Sequence, residues 1–329
     1  MTRDLSVVVV SHNARPFLPS ALRSLREHLG RLSYEVVVVD NGTDGAAELV
    51  RDEFPEARVL TCPNRGFAHG NNVALRTVQS RYVLLLNPDT EMLDGTLGYL
   101  IRLLDARPHV GVASVNQVMS NGRRWPTIKR YPSPLRTLAE ALGATRLPLG
   151  GVLGERELRS EAYARETSCD WVAGSFMLVR SEAIESVGWF DERFFLYSEE
   201  TDFCLRIKQA GWDIRHLPVM TVLHHETAEV PDARVEAQNV FARLQYGAKH
   251  FSRVGRLLFR GALLVRYGLR AAIHTVLAGR RSDRRAAAVA GLRVALGGSG
   301  SPYVEPRPRR SRTAARGPRR RGRLPDAEA

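Results

Sequence analysis

The stretch that decides the fold is RYVLLLNPDTEM, residues 81–92. Its segment 82–86 is an uninterrupted apolar run, which is typical of a short strand buried on both faces of a sheet. The run ends abruptly at Asn87, Pro88 and Asp89. A carboxylate directly after a buried strand predicts a sheet whose strand ends carry polar groups, and the rest of the chain can be tested for that pattern.

Strand and helix patterns alternate through the first third of the chain. Short runs rich in β-branched residues are separated by segments whose apolar residues recur at helical spacing. This alternation predicts an α/β fold with a parallel sheet covered by helices on both faces. The predicted strands are 5–10, 35–40, 57–60, 82–86 and 110–115, and the predicted helices are 16–29, 45–54, 68–79 and 95–107.

The ends of the first four predicted strands are all rich in Asn, Asp and Gly. These residues are common turn formers, so any single strand end is explained by turn chemistry. Four consecutive ends of this kind predict a binding edge, because ligands of parallel sheets bind at the carboxyl ends of the strands. The four segments are 11–13 (SHN), 40–42 (DNG), 64–72 (NRGFAHGNN) and 87–89 (NPD).

The second half of the chain has a less regular pattern. Residues 116–168 contain several prolines and glycines and predict a variable loop region. Beyond it, the pattern predicts strands at 170–180 and 219–225 and helices at 181–188, 194–212, 232–249 and 253–281. From 297 onward the sequence is too poor in apolar residues to build a core.

The charge is distributed unevenly. The chain of 329 residues has a net charge of +13, but residues 251–329 hold 19 Arg and four acidic residues, which leaves 29 basic and 31 acidic residues before them. Such a basic end is consistent with a solvated surface, with nucleic-acid binding or with contact to an anionic membrane surface. We expect the membrane surface, through the basic amphipathic helical segment, and not nucleic acid.

The cysteines, the first residues and the hydrophobicity of the sequence together predict where the protein is located. Three scattered cysteines suggest neither a disulfide framework nor a zinc site, which favours a reducing compartment. The first residues predict a strand instead of a signal peptide. The sequence also lacks a run of about 18 uncharged apolar residues. We therefore expect a cytoplasmic protein with peripheral contact to the inner face of the membrane.

Two groups of acidic residues are candidates for chemistry. Asp89, at a strand tip, suits a hard divalent cation, although it would also suit a helix N-terminus. Glu199, Glu200 and Asp202 lie within four residues, and their mutual repulsion raises the pKa of a carboxyl group toward that of a general base. The same cluster is also common at helix N-termini. His224 could complete a metal site with Asp89 if their strand tips are neighbours.

A dehydrogenase and a P-loop enzyme are both disfavoured. The turn after the first strand lacks the G-x-G-x-x-G fingerprint, and the segment at 64–72 has no following Gly-Lys-Ser/Thr.

Six segments together resemble glycosyltransferases of family 2, most closely the rhamnosyltransferase-like branch that builds bacterial polysaccharides. The resemblance covers roughly residues 4–228, and it depends on the order of the motifs more than on any one of them. The segments are 6–13 (SVVVVSHN), 36–45 (VVVVDNGTDG), 64–72 (NRGFAHGNN), 84–89 (LLLNPD), 174–180 (GSFMLVR) and 194–206 (FFLYSEETDFCLR).

The resemblance implies a GT-A fold, a nucleoside-diphosphate-sugar donor, a divalent cation (Mg²⁺ or Mn²⁺) and an inverting mechanism. The acceptor would be a hydroxyl of a glycan or a polyprenyl-linked lipid, and the donor dTDP-rhamnose or a UDP-sugar. It implies these sites: nucleotide-sugar binding by Ser11, His12, Asn13, Asp40, Asn41, Asn64, Gly66, Asn72 and Asn87; metal binding by Asp89 and His224; an acceptor border at Trp171, Gly174 and Ser175; and Glu200 as base, with Glu199 or Asp202 able to share the role.

The chain departs from the family pattern at three places. Asn87 replaces the first Asp of Asp-x-Asp, which leaves one anionic ligand, and Glu200 stands where the family has an Asp. The segment 209–212 (QAGW) lacks the Gln-x-x-Arg-Trp signature of processive synthases, so we expect single-sugar addition.

We predict a GT-A domain at 1–250, a basic helical region at 251–296 and a disordered Arg/Pro-rich tail at 297–329. Within the GT-A domain, 1–115 would bind the nucleotide and 116–250 the acceptor. The alternatives are a sugar-phosphate nucleotidyltransferase and a non-catalytic protein that binds sugar nucleotides or RNA.

Overall fold

The computed structural model describes residues 3–146, 153–225, 232–277, 283–298, 301 and 303. Most of the predicted tail at 297–329 lies outside these residues. The described strands are β1 (Arg3–Ser11), β2 (Tyr34–Asp40), β3 (Arg58–Thr61), β4 (Ser80–Leu86), β5 (Thr90–Met92), β6 (Val110–Met119), β7 (Thr167–Ser168), β8 (Phe176–Arg180) and β9 (Asp213–His224). The described α-helices are α1 (Leu18–His28), α2 (Ala46–Glu53), α3 (Phe67–Leu75), α4 (Leu97–Asp105), α5 (Pro134–Ala141), α6 (Ser160–Tyr163), α7 (Ser181–Val187), α8 (Glu199–Gln209), α9 (Ala233–His250), α10 (Arg253–Leu277) and α11 (Asp283–Leu296), and a short 3₁₀ helix spans Ala144–Arg146.

All nine of these strands join one sheet, in the order β3-β2-β1-β4-β8-β6-β9-β5, with β7 paired to β9. The pairs β3–β2, β2–β1, β1–β4 and β6–β9 are parallel, whereas β8 is antiparallel to both of its neighbours. β5 and β7 are antiparallel to β9. Six strands therefore point the same way, and the prediction of a mostly parallel central sheet with flanking helices is confirmed.

The valine run of β1 shows why these residues form a buried central strand. Val7 and Val9 face one hydrophobic cluster with α1, α2 and α4, while Val8 and Val10 face a second cluster with α3, α7 and α8. Side chains alternate between the two faces of a strand, so a strand covered on both faces must be apolar at every position. This sandwich leaves the ends of the strands as the place where polar groups reach solvent.

Several predicted boundaries are wrong, among them the start of the helix predicted at 194–212, which begins only at Glu199. The strand predicted at 170–180 begins only at Phe176, and the strand predicted at 219–225 begins earlier, at Asp213. The region predicted as irregular, 116–168, contains the end of β6 and the helix α5. The helix begins there because the Ser133 side chain accepts a hydrogen bond from the Arg136 amide and proline occupies the first turn.

The three C-terminal helices pack together around a small apolar core of their own. Its buried members are Val240, Phe259, Leu263, Tyr267 and Ala295. Ion pairs join this group to the preceding region, since Arg243 binds Glu155 and Arg266 binds Glu140. Among the helices in the described ranges, none combines the length and the hydrophobicity that crossing a bilayer requires.

Candidate active site

Asp40, at the carboxyl end of β2, is held by backbone amides. Its two carboxylate oxygens accept hydrogen bonds from Gly42 (2.9 Å) and Ala47 (3.0 Å), and the second bond stabilises the first turn of α2. Beside this carboxylate lies an open cleft of about 540 Å³ that Thr61 and Cys62 also line. Each carboxylate oxygen has a second lone pair, so Asp40 can still accept from a nucleobase that enters the cleft.

The turns after β1, β2 and β3 contact one another at the same edge. The His12 ring lies 3.2 Å from the Asn41 carbonyl oxygen and 3.5 Å from the Asn64 amide nitrogen. Asn13, at a φ of 53°, accepts a hydrogen bond from the Thr43 amide at 2.8 Å. The structure therefore brings these predicted nucleotide-binding residues together.

Two atoms at this edge remain available to a ligand. Ser11 Oγ and Asn41 Oδ1 are buried and have no hydrogen-bond partner among the residues that the structure describes. Buried polar atoms are normally paired, so their position beside the cleft is consistent with a bound polar ligand.

Asn72 makes its hydrogen bonds away from this group, so its predicted place in the nucleotide pocket stays a prediction. Its side chain donates hydrogen bonds to the Phe190 carbonyl oxygen (3.0 Å) and to Glu192 (2.9 Å), and accepts one from the Phe190 amide (3.0 Å). Because these bonds use most of the capacity of a buried amide, Asn72 fastens α3 to the segment before α8.

Gly66 has a packing role that the sequence does not reveal. At a φ of 100°, it lies so close to Phe195 that a Cβ atom would clash with the Phe195 carbonyl oxygen. The next amide, that of Phe67, donates to the same oxygen at 2.8 Å. Glycine is needed here because the loop at 64–72 contacts the segment that leads into α8.

Asp89 and His224 meet at the tips of neighbouring strands. β5 pairs with β9, and the His225 amide donates to the Asp89 carbonyl oxygen at 2.9 Å. As a result, Asp89 Oδ1 lies 3.4 Å from His224 Nε2, and Asn87 Nδ2 lies 3.5 Å from the same nitrogen. The adjacency that a shared metal site requires is therefore present.

The donor set of this pair fits a divalent cation. One carboxylate oxygen and one imidazole nitrogen suit Mg²⁺ or Mn²⁺, which keep most of their coordination for water and phosphate oxygens. The described part of the chain contains no cluster of three or more His, Cys, Asp or Glu side chains that could bind a metal by themselves. Asp89 and His224 would thus hold a cation only if a bound ligand supplied further oxygen atoms. His225 is engaged elsewhere, since its ring lies 2.6 Å from Glu91.

A short polypeptide segment connects this pair to the acidic cluster. The Asn87 amide donates to the Ser175 carbonyl oxygen at 3.1 Å, and the Gly174 amide lies 3.4 Å from Glu200 Oε1. A Cβ atom on Gly174 would come within 3.1 Å of the Phe67 ring and 3.3 Å of Glu200. Only the dipeptide 174–175 therefore separates the β4 tip from the Glu200 carboxylate.

The backbone before α8 is strained. Tyr197 and Ser198 have φ values of 69° and 67°, which side chains other than glycine rarely adopt. Two such residues directly before the acidic cluster are typical of functional sites, where the surrounding structure holds a costly conformation. Glu199 and Glu200 follow in the first turn of α8.

Glu199 and Glu200 differ in their surroundings. Glu199 is buried, and burial together with the neighbouring Glu200 charge raises the pKa of Glu199 well above its usual range. Glu200 keeps part of its surface exposed; burial raises its pKa as well, while the charge of Lys129 opposes the rise. Glu200 is the less buried member of the pair, so it is the one whose carboxylate can reach a substrate.

Asp202 is separated from this pair by its ionic partners. Its buried carboxylate contacts Arg206 (3.0 Å), Lys249 (2.6 Å) and His250 (2.7 Å). Burial opposes ionisation, but hydrogen bonds from His250 and Lys249 outweigh it and lower the pKa of Asp202 to about 2. A carboxylate with so low a pKa is a weak base, which makes Asp202 a poorer candidate for the catalytic role than Glu200. Its ion pairs with Lys249 and His250 join α8 to α9.

We predict that Asp202→Asn lowers the free energy of unfolding by about 3 kcal/mol at pH 7, because Arg206, Lys249 and His250 lose a buried anionic partner. The folded state lowers the pKa of Asp202 from its ordinary value near 4, so the ionised carboxylate stabilises the fold at pH values above about 4. The difference in the free energy of unfolding between the variant and wild type should therefore shrink as the pH falls from about 4 to about 2. Urea unfolding across this pH range measures it. Asp105→Asn, which alters a partly exposed pair with Arg81, serves as the control, and an equal loss in both variants would contradict the prediction.

The surroundings of Trp171, a predicted acceptor residue, contain side chains that the sequence did not reveal. The Trp171 indole donates to the Arg130 carbonyl oxygen at 3.0 Å, and the Lys129 ammonium lies 4.4 Å from the centre of its ring. Trp171 thus positions Lys129, whose charge acts on Glu200. The Trp125 ring packs edge-on against His224, with ring centroids 5.9 Å apart. Both Lys129 and Trp125 come from the segment predicted as a variable loop, and nothing in its pattern marks them.

Buried polar atoms without partners recur on this side of the cleft. Ser175 Oγ donates to Gln117 Oε1 at 2.8 Å, but Gln117 Nε2 is left without a partner in the ranges described above. The same is true of Trp125 Nε1 and His224 Nδ1. Their concentration around Ser175 and His224 indicates a site built for a polar ligand.

Solved structures place the fold in a known class. The chain is similar to the mannosyltransferase PcManGT from Pyrobaculum calidifontis, solved in complex with GDP-Man and Mn²⁺, with a TM-score of 0.53, 18% identity and coverage of 90% of this chain and 81% of that one. It is also similar to GalNAc-T7, solved with UDP, GalNAc and Mn²⁺, with a TM-score of 0.54, 14% identity and coverage of 79% and 54%. The fold is therefore that of the GT-A glycosyltransferases.

Sequence comparison then identifies the family. The profile for glycosyl transferase family 2 matches residues 6–169, and that for glycosyl transferase family group 2 matches residues 156–272. This chain belongs to the family 2 glycosyltransferases, and its resemblance to their rhamnosyltransferase branch is confirmed.

Two curated relatives carry that resemblance. One is the N-acetylglucosaminyl-diphospho-decaprenol L-rhamnosyltransferase of Mycobacterium tuberculosis, 28% identical over 82% of this chain and 95% of the relative. The other is the rhamnosyltransferase WbbL of Escherichia coli, 25% identical over 67% of this chain and 82% of the relative. The protein is thus an enzyme of the glycosyltransferase class, which removes the nucleotidyltransferase and non-catalytic alternatives.

Proposed function

We propose that this enzyme transfers one sugar, with inversion, from a nucleoside-diphosphate-sugar to a hydroxyl of a polyprenyl-linked glycan. dTDP-rhamnose is the first candidate donor and a UDP-sugar the second. The names of the two curated relatives support a rhamnosyl donor, and one of those names specifies a diphospho-decaprenol acceptor. The similar structures that contain Mn²⁺ and nucleotide-sugar components support a cation-assisted reaction.

One observation carries this proposal. The β4 tip, with Asn87 and Asp89, is joined through Ser175 and Gly174 to the Glu200 carboxylate. Two consecutive Cα atoms are about 3.8 Å apart, so a single sugar can touch both ends of this connection. Inverting transfer needs such a separation, because the leaving diphosphate and the attacking hydroxyl occupy opposite faces of the sugar.

The residues of the chain divide the chemistry between the two ends. The hydroxyl oxygen of the acceptor forms a bond to the anomeric carbon while the bond from that carbon to the diphosphate breaks. Glu200 accepts the proton that the hydroxyl loses. Asp40, with Ser11 and Asn41, orients the nucleoside. A divalent cation, when bound by Asp89 and His224, supplies positive charge for the diphosphate that leaves.

A pH profile tests the influence of Lys129. Because the charge of Lys129 opposes the rise in the pKa of Glu200, Lys129→Met should move the acidic limb of kcat/KM to higher pH. The base is active when ionised, so the variant should lose activity near neutral pH and regain it as the pH rises. Lys208→Met is the control, since Lys208 binds Asp170 and the Cys169 carbonyl oxygen. Identical profiles for Lys129→Met and wild type would contradict this influence.

The proposed function itself is tested with purified full-length chain and a panel of dTDP-rhamnose, UDP-N-acetylglucosamine, UDP-galactose and GDP-mannose. We expect dTDP-rhamnose to raise the melting temperature most and to be consumed when N-acetylglucosaminyl-diphospho-prenol is supplied, with a product that is larger by one sugar. Preference for another donor would replace the rhamnosyl assignment. The absence of transfer from every donor would contradict the proposal.

A further inference from the structure

The helix α10 exposes an apolar face that the catalytic reaction does not use. Val254, Leu257, Leu258 and Val276 are 65%, 71%, 60% and 82% exposed, and Val265, Leu269 and Ile273 lie between them with more than a third of their surface exposed. Their spacing of three, four or seven residues places them along one side of the helix. The opposite side, which includes Phe259, Leu263 and Tyr267, is buried against the neighbouring helices.

Two glycines show that the space over this face is open. Gly261 and Gly268 fall on the same side of α10, and a Cβ atom built on either would meet no atom of the described residues within 4 Å. Glycine lowers the stability of a helix when it lies in the helix interior. Two glycines on this open face therefore indicate that the surface serves a function other than helix stability. A contiguous apolar face of this length is unusual on a soluble protein and marks an interaction site.

The charge of α10 indicates what the face contacts. The helix contains five arginines and no acidic residue in 25 positions. Arg266 and Arg270 bind Glu140 and Glu236, but Arg253 and Arg256 have no ionic partner within the described ranges. These two line an open cleft of about 470 Å³ beside Leu257, together with Arg260. Guanidinium groups beside exposed leucines are complementary to lipid phosphates above acyl chains.

We propose that α10 is a membrane-docking helix, which lies in the plane of an anionic bilayer with its apolar side in the acyl boundary and Arg253 and Arg256 on lipid phosphates. A second copy of the chain is a poorer partner, because two α10 helices would bring like charges together. Nucleic acid is also a poorer partner, because it would leave the apolar side exposed. This inference does not depend on the identity of the donor or acceptor sugar.

Docking through α10 places the membrane next to the elements that surround the site. α10 contacts α5 through Arg266 and Glu140, and α9 through their shared core. α9 in turn supports the segment before α8, since Gln238 donates to the Leu196 carbonyl oxygen at 3.0 Å. A lipid-anchored acceptor at the same surface would thus reach the cleft without leaving the bilayer.

Vesicle co-sedimentation of the full chain tests the proposal, with equimolar phosphatidylglycerol and phosphatidylcholine compared with phosphatidylcholine alone. We expect wild type to bind the anionic vesicles at least tenfold more tightly, Leu258→Glu/Val265→Glu to lose binding, and Arg253→Glu/Arg256→Glu to lose the anionic preference. The matched controls are Leu158→Glu, at a site 61% exposed outside α10, and Arg31→Glu/Arg165→Glu, which alters two exposed arginines outside α10. Melting temperatures confirm that each variant is folded.

Three outcomes would overturn the proposal. Equal vesicle binding by wild type and both α10 variants would assign the contact to the Arg-rich C-terminal segment. A wild-type dimer in light scattering that becomes monomeric in Leu258→Glu/Val265→Glu, without vesicle binding, would make the face a contact between copies. Binding to single-stranded RNA that competes with vesicles and survives Leu258→Glu/Val265→Glu would make it a nucleic-acid surface. None of these measurements involves sugar transfer, so they are independent of the proposed reaction.

Discussion

Glu200→Gln is expected to lower kcat for sugar transfer by ~10²–10⁴-fold, the usual contribution of a positioned general base, while nucleotide binding survives. The amide keeps the shape of the side chain and its contact with the Gly174 amide, but it cannot accept the proton of the acceptor hydroxyl. Transfer rates and a nucleotide titration by calorimetry, both made on the same preparation, separate the loss of chemistry from the loss of binding.

The adjacent residue provides the control. Glu199 is buried and its pKa is raised well above its usual range, which favours the neutral acid, so Glu199→Gln keeps the shape of the side chain and adds no charge. We expect that variant to keep a rate within about tenfold of wild type, since it alters only one buried hydrogen-bonding atom. If Glu199→Gln were inactive and Glu200→Gln active, the assignment of the base would be reversed.

Asp89→Asn is expected to remove metal-stimulated transfer, with a loss of ~10³-fold. The reason is that a cation at the departing diphosphate is worth several kcal/mol, and each ~1.4 kcal/mol is a factor of ten. Asn87 contributes no charge, so Asp89 is the one anionic group on the 87–89 segment. In Asp89→Asn the new side-chain amide leaves His224 without a neighbouring carboxylate. Rates with and without Mn²⁺ measure the effect on transfer.

Metal binding itself supplies a second readout. Electron paramagnetic resonance with Mn²⁺ and a nucleoside diphosphate should show bound metal in wild type and little in Asp89→Asn or His224→Ala. His225→Ala is the matched control, because that ring contacts Glu91 and should leave metal binding intact. Equal stimulation of Asp89→Asn and wild type by Mn²⁺ would remove Asp89 from the metal site.

Local pattern predicts the central part of this fold well. In β1, β2 and β4 the central residues, 7–10, 36–39 and 82–86, are all apolar because both faces are covered, and the helices between the strands have a clear apolar stripe. The direction of β8 could not be predicted from pattern, because an antiparallel strand inserted between β4 and β6 depends on contacts distant in sequence. The helix α5 did have a local signal, a capping serine followed by proline, within a segment otherwise typical of loops.

The candidate site was predictable where its residues end strands. Asp40, Asn87 and Asp89 could be found that way, because parallel strands bring their carboxyl ends to one edge. The roles of Asn72 and Asp202 could not, because they depend on partners more than forty positions away in sequence. The effect of the Lys129 charge on the pKa of Glu200 could not be predicted either, because only the fold brings these two residues near each other.

In the proposed reaction, the dipeptide 174–175 sets the distance between Glu200, which would accept a proton, and the β4 tip, which would face the departing phosphate. One inserted residue would lengthen that connection by up to ~3.5 Å, far more than reacting atoms tolerate. Relatives that glycosylate different acceptors should therefore keep the length of this segment constant and vary the 116–133 segment around it. An engineer who wishes to broaden acceptor choice would diversify positions near Trp125 and Lys129 first.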